Sequence, residues 1–297
     1  MDFFVFLLFL IVIVFFTIIP FFILHGLSNV TSFLLYRVLG YRKKVVRNNL
    51  KTAFKNKSDK ELKKIEKDFY LNLTDILLES FKGYNISTKT VAKRYKAKNS
   101  EIVEKYHQQG RSVILAVSHY ANWEWGSVGV TMHINNDIFT VYKPIGNKYI
   151  DMYVRNSRSK NGLVMLPIKD THKYFKKYAR TASSFILISD QSPSNPDRAV
   201  WVNFLGKKTA FLHGIEFYSR IYNMPVIYTH IKRVKRGYYE VTYDLIHDNP
   251  QALKPGEITQ LYANKVEEDI INNPSDWLWS HRRWKHTWEN MEKHKDD

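Results

Sequence analysis

From Phe3 to Leu24 the chain runs for 22 residues without a charge, and nearly all of them are large and apolar. As one helix such a run extends about 33 Å, enough to cross a hydrocarbon layer. A cleaved signal peptide calls for a basic start and a small-residue cleavage site. Here Asp2 is acidic, and the run ends in Phe22-Ile23-Leu24-His25 with no Ala-x-Ala pattern. The expectation is a retained membrane helix over 1–25, kinked near Pro20. Val30 to Leu39 is again apolar but too short to span, and Arg37, Arg42, Lys43, Lys44 and Arg47 follow at once. By the positive-inside rule this cluster places the rest of the chain on the cytoplasmic side of a single-pass protein. The segment 26–50 then reads as interfacial, its basic flank on anionic headgroups, with an ordinary domain helix as the alternative.

The remaining residues, 51–297, have to form a folded domain. The 297-residue chain is 44% apolar, which supplies a substantial core, and it has no cysteine, which excludes disulfides, thiolate metal sites and a thiol nucleophile. Its net charge of +17, from 45 basic and 28 acidic residues, implies anionic surroundings: nucleic acid, acidic lipid or a phosphorylated substrate. The apolar N-terminus favours a membrane over nucleic acid. No cofactor or metal motif is found: Gly126-Ser127-Val128-Gly129 lacks the lysine and spacing of a phosphate loop.

Ser58-Asp59-Lys60-Glu61 has capping-box spacing and opens a long amphipathic helix that stops near Gly83. From Arg111 onward, short branched-apolar runs alternate with helical patterns. Strands are expected at 111–117, 138–142, 164–166, 184–189, 226–229 and 238–245, and helices at 101–109, 151–159, 171–180, 209–221 and 257–271. Alternation of this kind predicts a single α/β domain with a mostly parallel central sheet. Three loops, His119 to Glu124, Lys143 to Arg158 and Asp190-Gln191, begin at the carboxyl ends of expected strands and can converge on one crevice.

The spacing within the first loop suggests chemistry. If Asn122 caps a helix starting at Trp123, the turn can bring the Glu124 carboxylate back toward His119. Glu124 then fixes the imidazole's tautomer while the other ring nitrogen takes a proton from an attacking hydroxyl. With no cysteine and no serine-glycine elbow, direct transfer between two substrates fits better than a covalent intermediate. A histidine with a glutamate five residues on is also common by chance, so the pair alone decides little.

The ordered set of blocks is more specific. Ser118-His119-Tyr120-Ala121-Asn122-Trp123-Glu124, Val141-Tyr142-Lys143-Pro144 with Asn147 and Asp151, Arg158, Asp190-Gln191, Phe204-Leu205-Gly206-Lys207-Lys208-Thr209-Ala210 and Trp277-Leu278-Trp279-Ser280-His281-Arg282-Arg283-Trp284 follow one another in the chain. Together with the N-terminal segment they resemble the bacterial lipid A biosynthesis acyltransferases, within the wider glycerolipid acyltransferase-like enzymes. The resemblance implies a glycerolipid-acyltransferase-like domain on the cytoplasmic face of the bacterial inner membrane. It implies transfer of a fatty acyl chain from acyl carrier protein, or acyl-coenzyme A, to a hydroxyl of a phosphorylated glycolipid.

It also implies a site. His119, Glu124, Arg158 and Asp190 are the expected catalytic residues. Arg158 serves an acceptor phosphate or the charge developing on the thioester oxygen, and Asp190 holds an arginine or a sugar headgroup. Tyr142, Lys143, Asn147, Arg155, Gln191, Phe204 and Gly206 are assigned to substrate binding. Tyr142, Trp201 and Phe204 are candidate walls of an acyl groove, with a place in the core as the alternative for each, and Arg155 is a substitute for Arg158. The basic runs Lys173, Lys176, Lys177, Arg180 and Lys232, Arg233, Lys235, Arg236 are candidate contacts for an acidic carrier protein. Lys143 stands where many relatives carry arginine, which keeps the charge and gives up the bidentate fork. Two other readings stay open: the same chemistry on an amino lipid, another glycolipid or a lysophospholipid, and a non-enzymatic protein that binds anionic lipid.

Overall fold

The computed structural model describes residues 1–293. Its first helices, α1 (Asp2–Ile18) and α2 (Phe21–Phe33), split the long apolar run. Pro20 cannot continue the helix before it and instead takes the N-cap position of α2. Among the described residues no single helix is long and apolar enough to cross a membrane, so the expected continuous span over 1–25 is replaced by two shorter helices. Lys82 fixes the break: its ammonium donates to the carbonyls of Phe16 (3.2 Å), Thr17 (2.8 Å) and Ile19 (2.8 Å), the free acceptors at the end of α1. A π-helical turn (Leu34–Val38) and α3 (Lys43–Ala53) follow. Phe4, Leu8, Ile11, Phe15, Ile18, Phe22 and Phe33 stay exposed on the outer faces of α1 and α2.

The 25-residue α4 (Asp59–Gly83) begins as its capping box requires, with Ser58 Oγ accepting from Glu61 N and Glu61 Oε2 from Ser58 N (2.8 Å). It packs against α1 and α2 and carries the buried acids Asp75 and Glu79. Then come α5 (Thr88–Arg94), β1 (Tyr95–Ala97), α6 (Glu101–Gln108), β2 (Val113–Val117), α7 (Trp123–Gly129), β3 (Ile138–Tyr142), α8 (Lys148–Ser159), β4 (Leu163–Pro167), α9 (Thr171–Tyr178) and β5 (Ser184–Ile188). The chain continues through β6 (Val200–Phe204), β7 (Lys207–Phe211), α10 (Gly214–Tyr222), β8 (Val226–Lys235), β9 (Tyr238–His247), α11 (Glu257–Asn272) and α12 (Trp288–Lys293).

Seven strands form one sheet in the order β1-β9-β8-β2-β5-β3-β4, parallel throughout except for the antiparallel β8/β9 pair. All five residues of β2 are buried, as expected for a central strand covered on both faces. The helix expected over 209–221 starts only at Gly214, because the preceding residues form a hairpin of β6 and β7. Its two-residue turn, Leu205-Gly206, has positive φ at both positions (50° and 70°), the geometry that matches strand twist. The short β1 was not expected from the sequence. Two of the proposed carrier-protein contacts are also committed elsewhere: Arg233 (2.5 Å) and Arg236 (2.6 Å) both bind the buried Asp75.

Candidate active site

Parallel pairing of β2 with β5 matches Val117 to Ile188, so His119 and Asp190 each lie two residues beyond a registered pair. The two side chains meet there. His119 Nδ1 is 2.7 Å from Asp190 Oδ1, and the backbone N–H of His119 donates to Asp190 Oδ2 (2.9 Å). Trp277 Nε1 donates to the same Oδ2 at 2.8 Å. Asp190 is 1% exposed. Burial disfavours its charge, but the adjacent His119 and the hydrogen bonds from His119 and Trp277 outweigh that and hold its pKa below the usual value. For His119, burial likewise opposes the charged form, and the Asp190 carboxylate with its hydrogen bond more than compensates, leaving the imidazole pKa raised. An Nδ1–H directed at Asp190 leaves Nε2 with its lone pair free to accept, and Gln191 Nε2 lies 3.2 Å from it.

Glu124 is not the partner of His119. Its carboxylate forms an ion pair with the Arg158 guanidinium, which α8 projects across to α7. The reason is the cap: Asn122 Oδ1 accepts from Trp125 N (3.0 Å), so α7 begins at Trp123 and Glu124 rides in its first turn. Asn122 Nδ2 in turn donates to the buried Glu79 (2.8 Å), which also accepts from Tyr239 (2.8 Å) and contacts His25 Nε2 (2.9 Å). The loop between His119 and α7 is thus tied to α4, β9 and α2 at once.

The C-terminal run clamps the same loop from the other side. Leu278 N donates to His119 O (3.1 Å), and Ala121, at φ 49°, donates to Asp276 O (2.9 Å). Burial, with Arg283 nearby, lowers the His281 pKa to about 4; the ring is neutral, and its Nε2 accepts from Ser192 N (2.9 Å). Arg283 is buried over the rings of Phe211 and Phe204.

A cavity of about 370 Å³ opens beside His119, Glu124 and Arg158. Its floor is one face of the sheet, with Leu115, Val117, Ile186, Ile188, Thr140 and Met165 side by side, and its roof is α7 and Val154 of α8. One end is rimmed by Tyr142, Lys143 and Ile145; Lys143 is exposed there. The other end reaches the buried Tyr95, Val241 and Tyr243. A largely apolar enclosure with a few convergent polar groups at one point is the usual form of a ligand site.

The other expected substrate residues divide. Tyr142 and Lys143 line the cavity, and Gln191 contacts His119. Asn147 instead caps α8, accepting from Tyr149 N and Ile150 N (3.0 and 3.2 Å) and donating to Asp2 O (2.7 Å). Arg155 is exposed on α8, away from the lining. Phe204 is buried edge-on against Phe211 and Trp277, so it supports the residue behind Asp190 and does not wall the groove. Gly206 serves the β6–β7 turn. Sequence reasoning missed Tyr84, Tyr95, Trp123, Thr229 and Tyr243 as lining residues, as well as Trp277 as a donor to Asp190.

A family model described as bacterial lipid A biosynthesis acyltransferase matches residues 2–286. The chain is 24% identical over 271 residues to the lipid A biosynthesis lauroyltransferase of Escherichia coli, covering 90% of this chain and 86% of that protein. It is 21% identical over 247 residues to the E. coli lipid A biosynthesis palmitoleoyltransferase, covering 82% and 79%. A lipid A biosynthesis acyltransferase of Shigella flexneri matches to the same extent. The α/β sheet, the site at its strand ends and a match over almost the whole chain place this protein in the bacterial lipid A biosynthesis acyltransferase family, a family of acyltransferases.

Proposed function

We propose that this protein transfers a fatty acyl chain from an acyl thioester, carried by acyl carrier protein, to a hydroxyl of a phosphorylated lipid A precursor at the cytoplasmic face of the inner membrane. The observation that carries the proposal is the His119–Asp190 pair, at 2.7 Å, opening onto an apolar cavity of about 370 Å³. The acceptor hydroxyl takes the place of the Gln191 amide at His119 Nε2. As its oxygen attacks the thioester carbonyl, its proton moves to Nε2, and Asp190 stabilises the imidazolium. That attack forms the C–O bond; collapse of the tetrahedral intermediate then restores the carbonyl and breaks the C–S bond, leaving the ester, and the departing thiolate takes the proton back from His119. Arg158, held in the cavity wall by Glu124, is the cation for the oxyanion or an acceptor phosphate, and Lys143 adds charge at the mouth.

The exposed apolar faces of α1 and α2 rest in the bilayer, and the basic start of α3 lies against its headgroups. Mass spectrometry of lipids from a strain lacking the gene tests the acceptor. Loss of one acyl chain from lipid A supports this reading. Intact lipid A with an amino lipid, glycolipid or phospholipid missing a chain supports the same chemistry on another acceptor.

A further inference from the structure

The inner end of the cavity is chemically unlike its middle. Between His119 and that end the floor is Val117 and Leu115, and beyond them three hydroxyl-bearing residues line the wall together with Ile231 and Val241: Thr229 on β8, Tyr243 on β9 and Tyr95 on β1. Strand pairing sets two of them side by side: Thr229 and Tyr243 are registered partners across the β8/β9 pair, while Tyr95 on β1 pairs with Tyr239, four residues before Tyr243 on β9. Tyr95 cannot turn away, because α7 presses on it: a Cβ at Gly129 would come within 2.3 Å of its ring, and one at Gly126 within 3.1 Å of its hydroxyl.

None of the three has a hydrogen-bond partner among the described residues. Thr229 Oγ1 is fully buried and unpaired. The Tyr95 and Tyr243 side chains make no hydrogen bond, and burial raises the pKa of both phenols, so they remain neutral O–H groups. Of the three, Thr229 Oγ1 is sealed from the cavity, whereas the Tyr95 and Tyr243 hydroxyls open onto it, and two unpaired phenol groups at the end of an apolar channel favour an oxygen or nitrogen atom in the ligand. Such a site discriminates strongly, because a ligand lacking that atom leaves the hydroxyls desolvated and unpaired.

We infer that the inner end of the cavity, formed by Tyr95, Thr229 and Tyr243, selects an acyl chain that carries a hydroxyl group over a plain saturated chain of the same length. This inference rests on the cavity's being the acyl site of the proposed transferase. A trapped water held by the tyrosine hydroxyls is the competing occupant, and a plain chain then fits as well as a hydroxylated one.

The test uses the full chain in mixed micelles and matched acyl thioesters of equal carbon number, one plain and the others monohydroxylated at successive carbons. Transfer is read as kcat/KM, and binding of the corresponding free fatty acids is measured separately by calorimetry. One hydroxylated isomer is expected to exceed the plain chain roughly two- to tenfold per hydrogen bond gained, in both measurements. Tyr95→Phe, Tyr243→Phe and Thr229→Val keep the volume and remove the oxygens, so the combined variant is expected to bind the plain chain better than the hydroxylated one. Equal binding of every isomer and the plain chain by the wild type overturns the inference, as does a preference that survives the triple replacement. If plain and hydroxylated donors transfer equally, the transferase stands and the selectivity falls. If the hydroxylated acid binds preferentially but no thioester is turned over, the selectivity stands and the transferase reading falls.

Discussion

Replacing Asp190 by asparagine separates the observed pairing from the one its sequence spacing suggests. Asp190 accepts three hydrogen bonds, from His119 Nδ1 (2.7 Å), His119 N (2.9 Å) and Trp277 Nε1 (2.8 Å). Asparagine can accept the backbone and indole donors through its oxygen, but its amide nitrogen then presents an N–H donor to Nδ1. The imidazole adapts by placing its proton on Nε2, where the lone pair has to be. The base is lost although the shape is kept, and the expected fall in kcat is about 10²- to 10⁴-fold, equivalent to about 3–5 kcal/mol of barrier. The assay is acyl transfer at saturating donor and acceptor, with thermal unfolding as a check that the variant is folded. A decrease smaller than about fivefold in a folded Asp190→Asn protein would refute the assignment of Asp190 as the orienting partner.

Other outcomes follow from the same geometry. Because Asp190 raises the His119 pKa, and the base acts only when neutral, the activity of the wild type falls on the acid side with a midpoint above the ordinary histidine value of about 6.5. The pH dependence of kcat/KM measures it, and removing the carboxylate moves any residual profile to lower pH. Glu124→Gln and Arg158→Gln are expected to be non-additive, with a coupling of about 0.5–3 kcal/mol in a double-mutant cycle read on transfer rate. Asn122→Ala removes the cap of α7 and one of the partners of Glu79, and is expected to lower stability by about 1–2 kcal/mol in chemical denaturation. Serine replacements of Phe4, Leu8, Ile11 and Phe15, exposed on α1, are expected to reduce partition onto lipid vesicles while leaving the unfolding midpoint in micelles unchanged.

Much of this arrangement was legible in the order of residues, because it depends on local signals. The capping box at Ser58 and the cap at Asn122 set the starts of α4 and α7, and the branched runs at 113–117 and 184–188 became the central pair of strands. What escaped was set by pairing between distant segments. Glu124 is close to His119 in sequence, yet strand register brings Asp190 to the imidazole from 71 residues away. The available signal was that both residues lie just beyond the carboxyl ends of expected strands, at 117 and 189. Arg233 and Arg236 looked like free surface charge because Asp75, on α4, is remote in the chain. The end of the hairpin, 209–211, carries a helical pattern in sequence, and Leu205-Gly206 is an uncommon version of a two-residue turn that gives little sign of the strand pairing around it. At the N-terminus, Pro20 has more effect than hydropathy alone suggests: it changes the run from one helix into two.

The most direct measurement is acyl transfer by the purified full chain in vesicles, with acyl carrier protein thioester as donor, a phosphorylated lipid A precursor as acceptor, and mass spectrometry of the product. The wild type is predicted to add one acyl chain as an ester, and His119→Ala to transfer at least about 10²-fold more slowly while still binding the vesicles. Undiminished transfer by a folded His119→Ala protein, or no acylated product from the wild type, would contradict the account.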